Sequence, residues 1–151
     1  MISMAKIIMA SDHGGFALKA KIAAWLASNG YEAVDAGPQA LDKNDDYPDY
    51  ALKACKKIAG TGNIGILICS SGQGMDRAAN KIKGIYASVC WNKRSVKYAK
   101  AHGGINVLCL PADFVGPRLA IGIVRTWLDT PTSMAERHVR RRDKVVRIER
   151  A

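Results

Sequence analysis

A cysteine stands between an apolar run and a polar, glycine-rich loop near the middle of the chain. The segment ILICSSGQGM spans residues 66–75, and its four apolar residues predict a buried strand that ends at Cys69. The backbone N–H groups from Ser70 to Gly74 precede a helical pattern, an arrangement that suits a phosphate or a developing oxyanion. A thiol beside the dipoles of a helix start ionises readily, so Cys69 is a candidate base or nucleophile. A tight strand-to-helix turn next to a structural thiol is the open alternative.

This loop matches neither of the two common nucleotide-binding patterns. No G-K-[ST] follows it, which excludes a P-loop, and it lacks the third glycine of the dinucleotide-binding fingerprint. The loop is therefore suited to bind an anion, but it does not match a recognised nucleotide-binding motif.

The three histidines lie outside the apolar runs, each in a polar segment. They are His13, His102 and His138, and Asp12 precedes the first of them. We expect the three rings and the carboxylate to line one polar pocket.

Half of the net positive charge lies in the last fifteen residues. The chain carries a formal charge of +10, and residues 137–151 contribute seven basic and two acidic side chains. A basic helix of this kind is typical of a solvated face, a nucleic-acid contact or a phosphate clamp. Arg137 and Arg141 are four residues apart and share one helix face, which forms a natural fork for a phosphate group. Their spacing favours the clamp.

Apolar runs of strand length alternate with longer segments of helical period along the chain. Strands are predicted over residues 7–10, 31–35, 64–69, 85–90 and 105–110. Helical segments separate them, and two helices close the chain, the last a basic helix over about residues 133–147. This alternation predicts an α/β fold, a doubly wound sheet of five parallel strands with helices on both faces.

A sheet of this kind binds ligands outside the carboxyl ends of its strands, where the strand order reverses. In the flavodoxin-like order that point lies between the first and third strands. The loops that follow these strands are SDHGG, residues 11–15, and CSSGQG, residues 69–74. We therefore expect these two loops to face each other.

The composition is that of an ordinary globular protein. Hydrophobic residues make up 48% of the 151 and charged residues 24%, which fits one domain over residues 1–151. No apolar run approaches the roughly 20 residues that span a bilayer, and the N-terminal MISMAKIIMA lacks the features of a signal peptide. The four cysteines show no C-x-x-C or metal-finger spacing, so we expect free thiols in a reducing compartment, without disulfides or zinc. These features together predict a cytoplasmic protein.

Five segments occur together in an order and spacing that resemble one family. They are SDHGGFALK, DYPDYA, GILICSSGQGM with AANKIKGI, AHGGINVL and RHVRRRDK, and they span nearly the whole chain. In these motifs the chain resembles the ribose-5-phosphate isomerase B family, which includes galactose-6-phosphate and allose-6-phosphate isomerases. The resemblance implies a Rossmann-like α/β/α sandwich, no metal or organic cofactor, and a homodimer or homotetramer with active sites at the subunit interface.

The resemblance also implies a role for the loop after the third strand. Cys69 would be the base that moves a proton between C1 and C2 of the sugar through a cis-enediolate. A second variant of the family has Glu where this chain has Met75, so the chain resembles the cysteine variant. Ser71, where that variant usually has Thr, would stabilise the enediolate oxygens together with backbone N–H groups. The loop residues concerned are Ser70, Ser71, Gly72, Gln73 and Gly74.

Residues from other segments would, by the same resemblance, bind the sugar and open its ring. His102 would transfer a proton as the furanose ring opens. Asp12 would hold sugar oxygens, and Tyr47 would line the pocket. The phosphate would be bound by His13, Arg137 and Arg141.

Two positions depart from the family pattern. The motif after the histidine is usually H-N, but here His102 is followed by Gly103, so this substrate-binding position lacks its side-chain amide. Asp113 stands where a phosphate-contacting Arg is expected. Both departures concern the choice of sugar phosphate and leave the proton-transfer residues untouched.

The leading hypothesis is an aldose–ketose isomerase that interconverts ribose 5-phosphate and ribulose 5-phosphate. Gly103 and Asp113 leave open another sugar phosphate, such as a tetrose or hexose phosphate. A non-catalytic flavodoxin-like module that binds a phosphate or nucleotide would keep the glycine loop without needing Cys69 or His102. A nucleic-acid-binding domain would use the basic C-terminal helix alone, with a steep salt dependence. The isomerase hypothesis predicts a small sugar phosphate as partner, and neither nucleic acid nor membrane.

Overall fold

All five strands of the described chain run parallel in one sheet. The computed structural model describes residues 4–151, and residues 1–3 of the predicted domain lie outside the described residues. The strands are β1 (Ile7–Ser11), β2 (Ala33–Asp35), β3 (Ile64–Cys69), β4 (Ala87–Val89) and β5 (Val107–Pro111). The helices are α1 (Phe16–Ser28), α2 (Tyr47–Cys55), α3 (Gln73–Ala79), α4 (Lys93–Ala101), α5 (Pro117–Asp129) and α6 (Glu136–Glu149), and one 3-10 turn covers His13–Gly15. The predicted fold class is confirmed.

The side chains of β1 alternate between two hydrophobic cores, one on each face of the sheet. Ile7 and Met9 pack in the core that α1, α4 and α5 cover, whereas Ile8 and Ala10 pack in the core under α2 and α3. A strand places successive side chains on opposite faces, so every residue of β1 is buried. Burial on both faces explains why β1 and β3 are continuous apolar runs in the sequence.

The strand order is β2-β1-β3-β5-β4. The chain passes from β1 to β2 on one side and then returns to β3 on the other, so the order reverses between β1 and β3. The predicted switch point is therefore confirmed. Relative to the flavodoxin-like order the last two strands are exchanged, because β5 pairs with β3 and leaves β4 at the edge. β4 is shorter than the predicted 85–90, since only Ala87–Val89 pair with β5.

Helix α4 runs back from the carboxyl end of β4 towards the amino end of β5. Asn92 caps its start, because the Asn92 side chain accepts the N–H of Ser95 and the Ser95 hydroxyl accepts the N–H of Asn92. Its nine residues cover about 13 Å at 1.5 Å per residue. The two ends of α4 therefore lie at opposite ends of the strands: α4 starts at the carboxyl ends, called here the carboxyl edge of the sheet, and finishes at the amino ends, called the amino edge.

The basic helix α6 is the longest of the described helices. It spans 14 residues from Glu136 to Glu149, close to the predicted 133–147. Near its end the Glu149 carboxylate accepts the Gly84 N–H at 2.9 Å and the Tyr86 hydroxyl at 3.1 Å, which anchors α6 before the amino end of β4. Neither α6 nor any other helix of residues 4–151 is both long and apolar enough to cross a membrane.

Candidate active site

The loops after β1 and β3 touch each other at the carboxyl edge of the sheet. A Cβ on Gly14 would overlap the Ser70 hydroxyl, so the two loops are in close contact there. The Asp12 N–H donates to the Ile68 carbonyl at 3.3 Å. The Asp12 carboxylate accepts the N–H groups of Gly14 at 2.9 Å and Gly15 at 3.3 Å, which holds the loop in its 3-10 turn. The expectation that the two loops face each other is confirmed.

Cys69 ends β3 beside this contact, with only 4% of the residue exposed. Its Sγ accepts the N–H of Gly72 at 3.2 Å. Gly72 has a left-handed φ of 72°, and a Cβ there would lie 2.6 Å from the Val89 side chain, so the turn requires glycine. The turn therefore directs one backbone N–H at the sulfur.

The other three cysteines have different surroundings. All four are free and buried. Burial raises the pKa of the Cys55 and Cys90 thiols to about 11 and the pKa of Cys109 well above its ordinary value. Cys69 alone ends a strand at the switch point, so its position distinguishes it from the others.

The glycine loop keeps part of its hydrogen-bonding capacity free. The N–H of Gly72 is used by the thiol, and the Gln73 N–H donates to the Ser71 hydroxyl at 3.3 Å. The N–H groups of Ser70 and Ser71 donate to no acceptor within residues 4–151. Two backbone donors next to Cys69 are therefore available to an oxyanion.

Tyr47 closes the site on the side of α2. It is the first residue of that helix. A Cβ on Gly74 would lie 2.7 Å from the Tyr47 ring, so the ring rests directly on the glycine loop. The Tyr47 ring therefore packs on the glycine loop, and its role in lining the substrate pocket stays a prediction.

The segment after β5 borders the glycine loop on the other side. The Asp113 N–H donates to the Ser70 carbonyl at 3.0 Å, and Asp113 itself is exposed. Phe114 and Trp91, both largely exposed, line an open pocket of about 380 Å³ together with Ser71. Sequence reasoning did not single out these two aromatic residues, because neither belongs to a motif.

His13 is paired with Asp45, a residue that the sequence patterns do not single out. The His13 backbone N–H donates to Asp45 Oδ1 at 2.9 Å, and the ring Nδ1–H donates to the same oxygen at 2.6 Å. This hydrogen bond raises the pKa of His13, and Asp12 and Asp42 act in the same direction. Burial raises the pKa of the Asp12 carboxyl in spite of its own bonds and the nearby histidine.

Asp12, His13 and Asp45 also bring three possible metal-ligand atoms within 4.8 Å of one another, as no other group of described residues does. His13 Nδ1 and Asp45 Oδ1 are bonded to each other, and the Asp12 carboxylate accepts two N–H groups. The three side chains are therefore held by hydrogen bonds that a metal ion would have to break.

His102 lies at the amino edge of the sheet, where α4 ends and the chain enters β5. Its ring stacks on the His138 ring with centroids 4.2 Å apart and meets the Tyr98 ring at 5.0 Å. His138 Nδ1 lies 2.7 Å from the Ser133 hydroxyl, and burial lowers the pKa of His138. Arg142 donates to the carbonyls of His102 at 3.1 Å and Ser133 at 2.8 Å. Helix α6 therefore holds the His102 ring and its backbone in place.

Arg137 and Arg141 stand exposed on α6 next to the stacked histidines. Neither makes a hydrogen bond or ion pair with another described residue, whereas Arg140 between them pairs with Glu136 at 2.7 Å. Arg141 and Gly103 border a cavity of about 510 Å³ that His102 also lines. Both guanidinium groups are thus free to bind an anion.

The structure does not bring the three histidines of one chain into one pocket, so that expectation is wrong. The reason is the direction of α4, which carries His102 from the carboxyl edge back to the amino edge. The predicted residues form two groups instead. The carboxyl-edge group contains Asp12, His13, Tyr47, Cys69, Ser70, Ser71, Gly72, Gln73 and Gly74, and the amino-edge group contains His102, Gly103, Arg137 and Arg141.

Known proteins resemble this chain over almost its full length. Residues 7–145 match the model of the Ribose/Galactose Isomerase family. The chain is 40% identical over 146 residues to the probable ribose-5-phosphate isomerase B of Mycoplasma genitalium, with 95% of each chain covered. It is 39% identical over 148 residues to ribose-5-phosphate isomerase B of Escherichia coli, with 97% of each covered.

Solved structures of similar proteins have the same fold over nearly the whole of this chain. The crystal structure of ribose-5-phosphate isomerase B from Mycoplasma genitalium, with bound ribulose-5-phosphate, has a TM-score of 0.94 at 38% identity and covers 99% of both chains. Ribose-5-phosphate isomerase B of Clostridium thermocellum has a TM-score of 0.91 at 40% identity, over 96% of this chain and 97% of the other.

Proposed function

Because the chain belongs to the ribose/galactose isomerase family, we propose that it interconverts ribose 5-phosphate and ribulose 5-phosphate. The observation that carries the proposal is the position of Cys69, at the end of β3 where the strand order reverses, with an N–H directed at its sulfur. Free backbone donors lie next to this thiol. An aldose–ketose isomerisation requires these two elements, a base and donors for the charge that develops on oxygen.

The proposed reaction moves one proton between neighbouring carbons. The Cys69 thiolate takes the proton from C2 of the open-chain aldose. The electron pair of that C–H bond forms the C1=C2 bond of a cis-enediolate, and the π pair of the C1=O1 carbonyl moves onto O1. The thiol then returns the proton to C1, while the proton of the O2 hydroxyl moves to O1, which gives the ketose. The Ser71 hydroxyl and the N–H groups of Ser70 and Ser71 stabilise the enediolate oxygens in this scheme.

A second copy of the chain would complete the site. His102, which we assign to the opening of the furanose ring, lies at the other edge of the sheet from Cys69, as does the arginine pair. A groove of about 560 Å³ runs along α4 from the exposed ring of Trp91 past Tyr98 to His102. In the pairing that we propose, the amino-edge group of each copy would lie against the carboxyl-edge group of the other. We propose a homodimer, or a homotetramer built from two such dimers, with its active sites at the interface.

The four free cysteines favour a reducing compartment. A thiol that serves as a base must stay reduced, which the cytoplasm ensures. We therefore assign the enzyme to the cytoplasm.

Turnover across a panel of aldose phosphates tests the proposed function. We expect ribose 5-phosphate to be isomerised faster than four-carbon and six-carbon aldose phosphates, measured as ketose formation by the purified protein. Asp113 and Gly103 are the positions at which another sugar length would be accommodated. Faster turnover of a tetrose or hexose phosphate would change the substrate and keep the chemistry. No turnover with any member of the panel would contradict the function.

Replacing Arg137 or Arg141 by alanine is expected to raise KM for ribose 5-phosphate about tenfold or more, with a smaller change in kcat. Hydrogen bonds to charged groups contribute about 1.5–3 kcal/mol each, and both guanidinium groups are free. Arg150→Ala is the matched control, since Arg150 follows the last turn of the same helix. Equal small effects in all three variants would make α6 a solvated face.

A further inference from the structure

Asp45 lies at the end of a tight turn that precedes α2. Asp42 builds this turn, because its Oδ1 accepts the Asn44 N–H at 2.9 Å and its carbonyl accepts the Asp45 N–H at 3.2 Å. Tyr47 begins α2 two residues later. One short segment therefore brings Asp45 to His13 and Tyr47 to the glycine loop.

A single oxygen of Asp45 holds His13 at two points. Oδ1 accepts both the backbone N–H, at 2.9 Å, and the ring Nδ1–H, at 2.6 Å. These bonds fix the chain and the ring together. Only 3% of the Asp45 side chain is exposed, against 40% of the His13 side chain. The carboxylate is therefore buried behind the ring, and the Nε2 atom on the far side of the ring remains available.

The Asp45 carboxylate and the His13 ring place two titratable groups in direct contact, 2.6 Å apart. Asp45 Oδ2 has no hydrogen-bond partner among residues 4–151, and a buried carboxylate oxygen without a partner is costly unless an opposite charge lies beside the carboxylate. A protonated His13 supplies that charge. The charged groups that act on the ring, Asp45, Asp12 and Asp42, are all carboxylates, and the bond to Asp45 raises the pKa of His13. His13 therefore stays a cation to higher pH than a free histidine and loses its charge only as the pH passes its raised pKa.

We propose that Asp45 is a positioning residue that holds His13 in one orientation, with Nδ1 bonded to the carboxylate and Nε2–H free for the substrate's phosphate. The inference rests on the proposed function, because it takes the ligand to be a phosphate ester. Asp45 acts through His13 and contacts no substrate atom.

The ring signals of the three histidines in an NMR titration report on the pair directly. We expect the midpoint of His13, assigned from its loss in His13→Asn, to lie above that of a free histidine and to fall in Asp45→Asn. The amide is close in shape to the carboxylate, so the turn is retained. Asp46→Asn is the matched control, since Asp46 is exposed and its side chain makes no capping bond. An unchanged His13 midpoint in Asp45→Asn would overturn the inference.

The KM for ribose 5-phosphate then separates positioning from a merely structural role. In Asp45→Asn we expect KM to rise about tenfold at a pH between the measured His13 midpoints of the two proteins and less at a pH below both, with kcat less affected. In a His13→Asn background the same change should raise KM no further, because Asp45 acts through His13. A further rise there would overturn the inference.

Failure of the inference and failure of the proposed function are distinguishable. A lowered His13 midpoint with an unchanged KM overturns His13 as the phosphate ligand, and the inference with it, while measurable turnover leaves the isomerase function standing. No turnover in the unaltered protein overturns the function, and the inference that rests on it, whatever the titration gives.

Discussion

Cys69→Ala is expected to lower isomerase turnover by at least about a hundredfold and to leave the binding of ribose 5-phosphate largely intact. The change removes the proposed base, and general acid–base catalysis contributes about 10²–10⁴ to a rate. The phosphate contacts assigned to His13 and to the two arginines do not involve the thiol. Steady-state kcat and calorimetric titration with ribose 5-phosphate measure the two effects separately.

Cys55→Ala is the matched control for this variant. Cys55 is also a free, buried thiol, but it ends α2 within a hydrophobic core, and turnover should stay near its original value. Residual turnover above about one part in a hundred in Cys69→Ala would require another base. Asp76 is poorly placed for that task, since its two oxygens accept the Val89 N–H at 2.6 Å and the Asn80 amide at 2.8 Å.

Two inactive variants are expected to regain activity when they form mixed dimers. Cys69→Ala disables the carboxyl-edge group, and His102→Asn disables the amino-edge group. If each site takes one group from each chain, a mixed dimer contains one site with both defects and one site with none. Random association of equal amounts makes about half of the dimers mixed, so about one quarter of the original activity should return. Joint refolding of the two variants followed by an activity assay measures it.

Mixed dimers of Cys69→Ala with Cys69→Ser are the matched control. Both defects then lie in the carboxyl-edge group, no site is intact, and no activity should return. Cys69→Ala and His102→Asn chains that form mixed dimers without activity would contradict a site shared between chains. A monomeric mass in sedimentation would contradict the dimer itself.

The sheet and its ligand-binding edge could be predicted because they follow from local patterns and one general rule. The predicted range 64–69 coincides with β3, since an apolar run bounded by turn residues marks both of its ends. The facing of the loops at Gly14 and Ser70 then follows from the place where a doubly wound sheet reverses its strand order.

The grouping of the polar residues could not be predicted in the same way. That His102 lies in a polar segment says nothing about which edge of the sheet it occupies, which is decided by the direction of α4. Asp45 is one of five aspartates between residues 35 and 49. These aspartates share no period, and only the folded turn at Asp42 determines which carboxylate reaches His13.

The contact between Gly14 and Ser70 links two positions that are distant in the sequence. A Cβ at position 14 would overlap the hydroxyl at position 70 and would also lie 3.1 Å from the Ser70 backbone N and 3.2 Å from Asp12 Oδ1, so loss of the hydroxyl removes the tightest of its contacts. A lineage can therefore gain a side chain at position 14 most easily by losing the one at position 70, and the reverse also holds. Selection on this pair acts on their combined volume, so the two positions should covary between homologues even where neither is conserved.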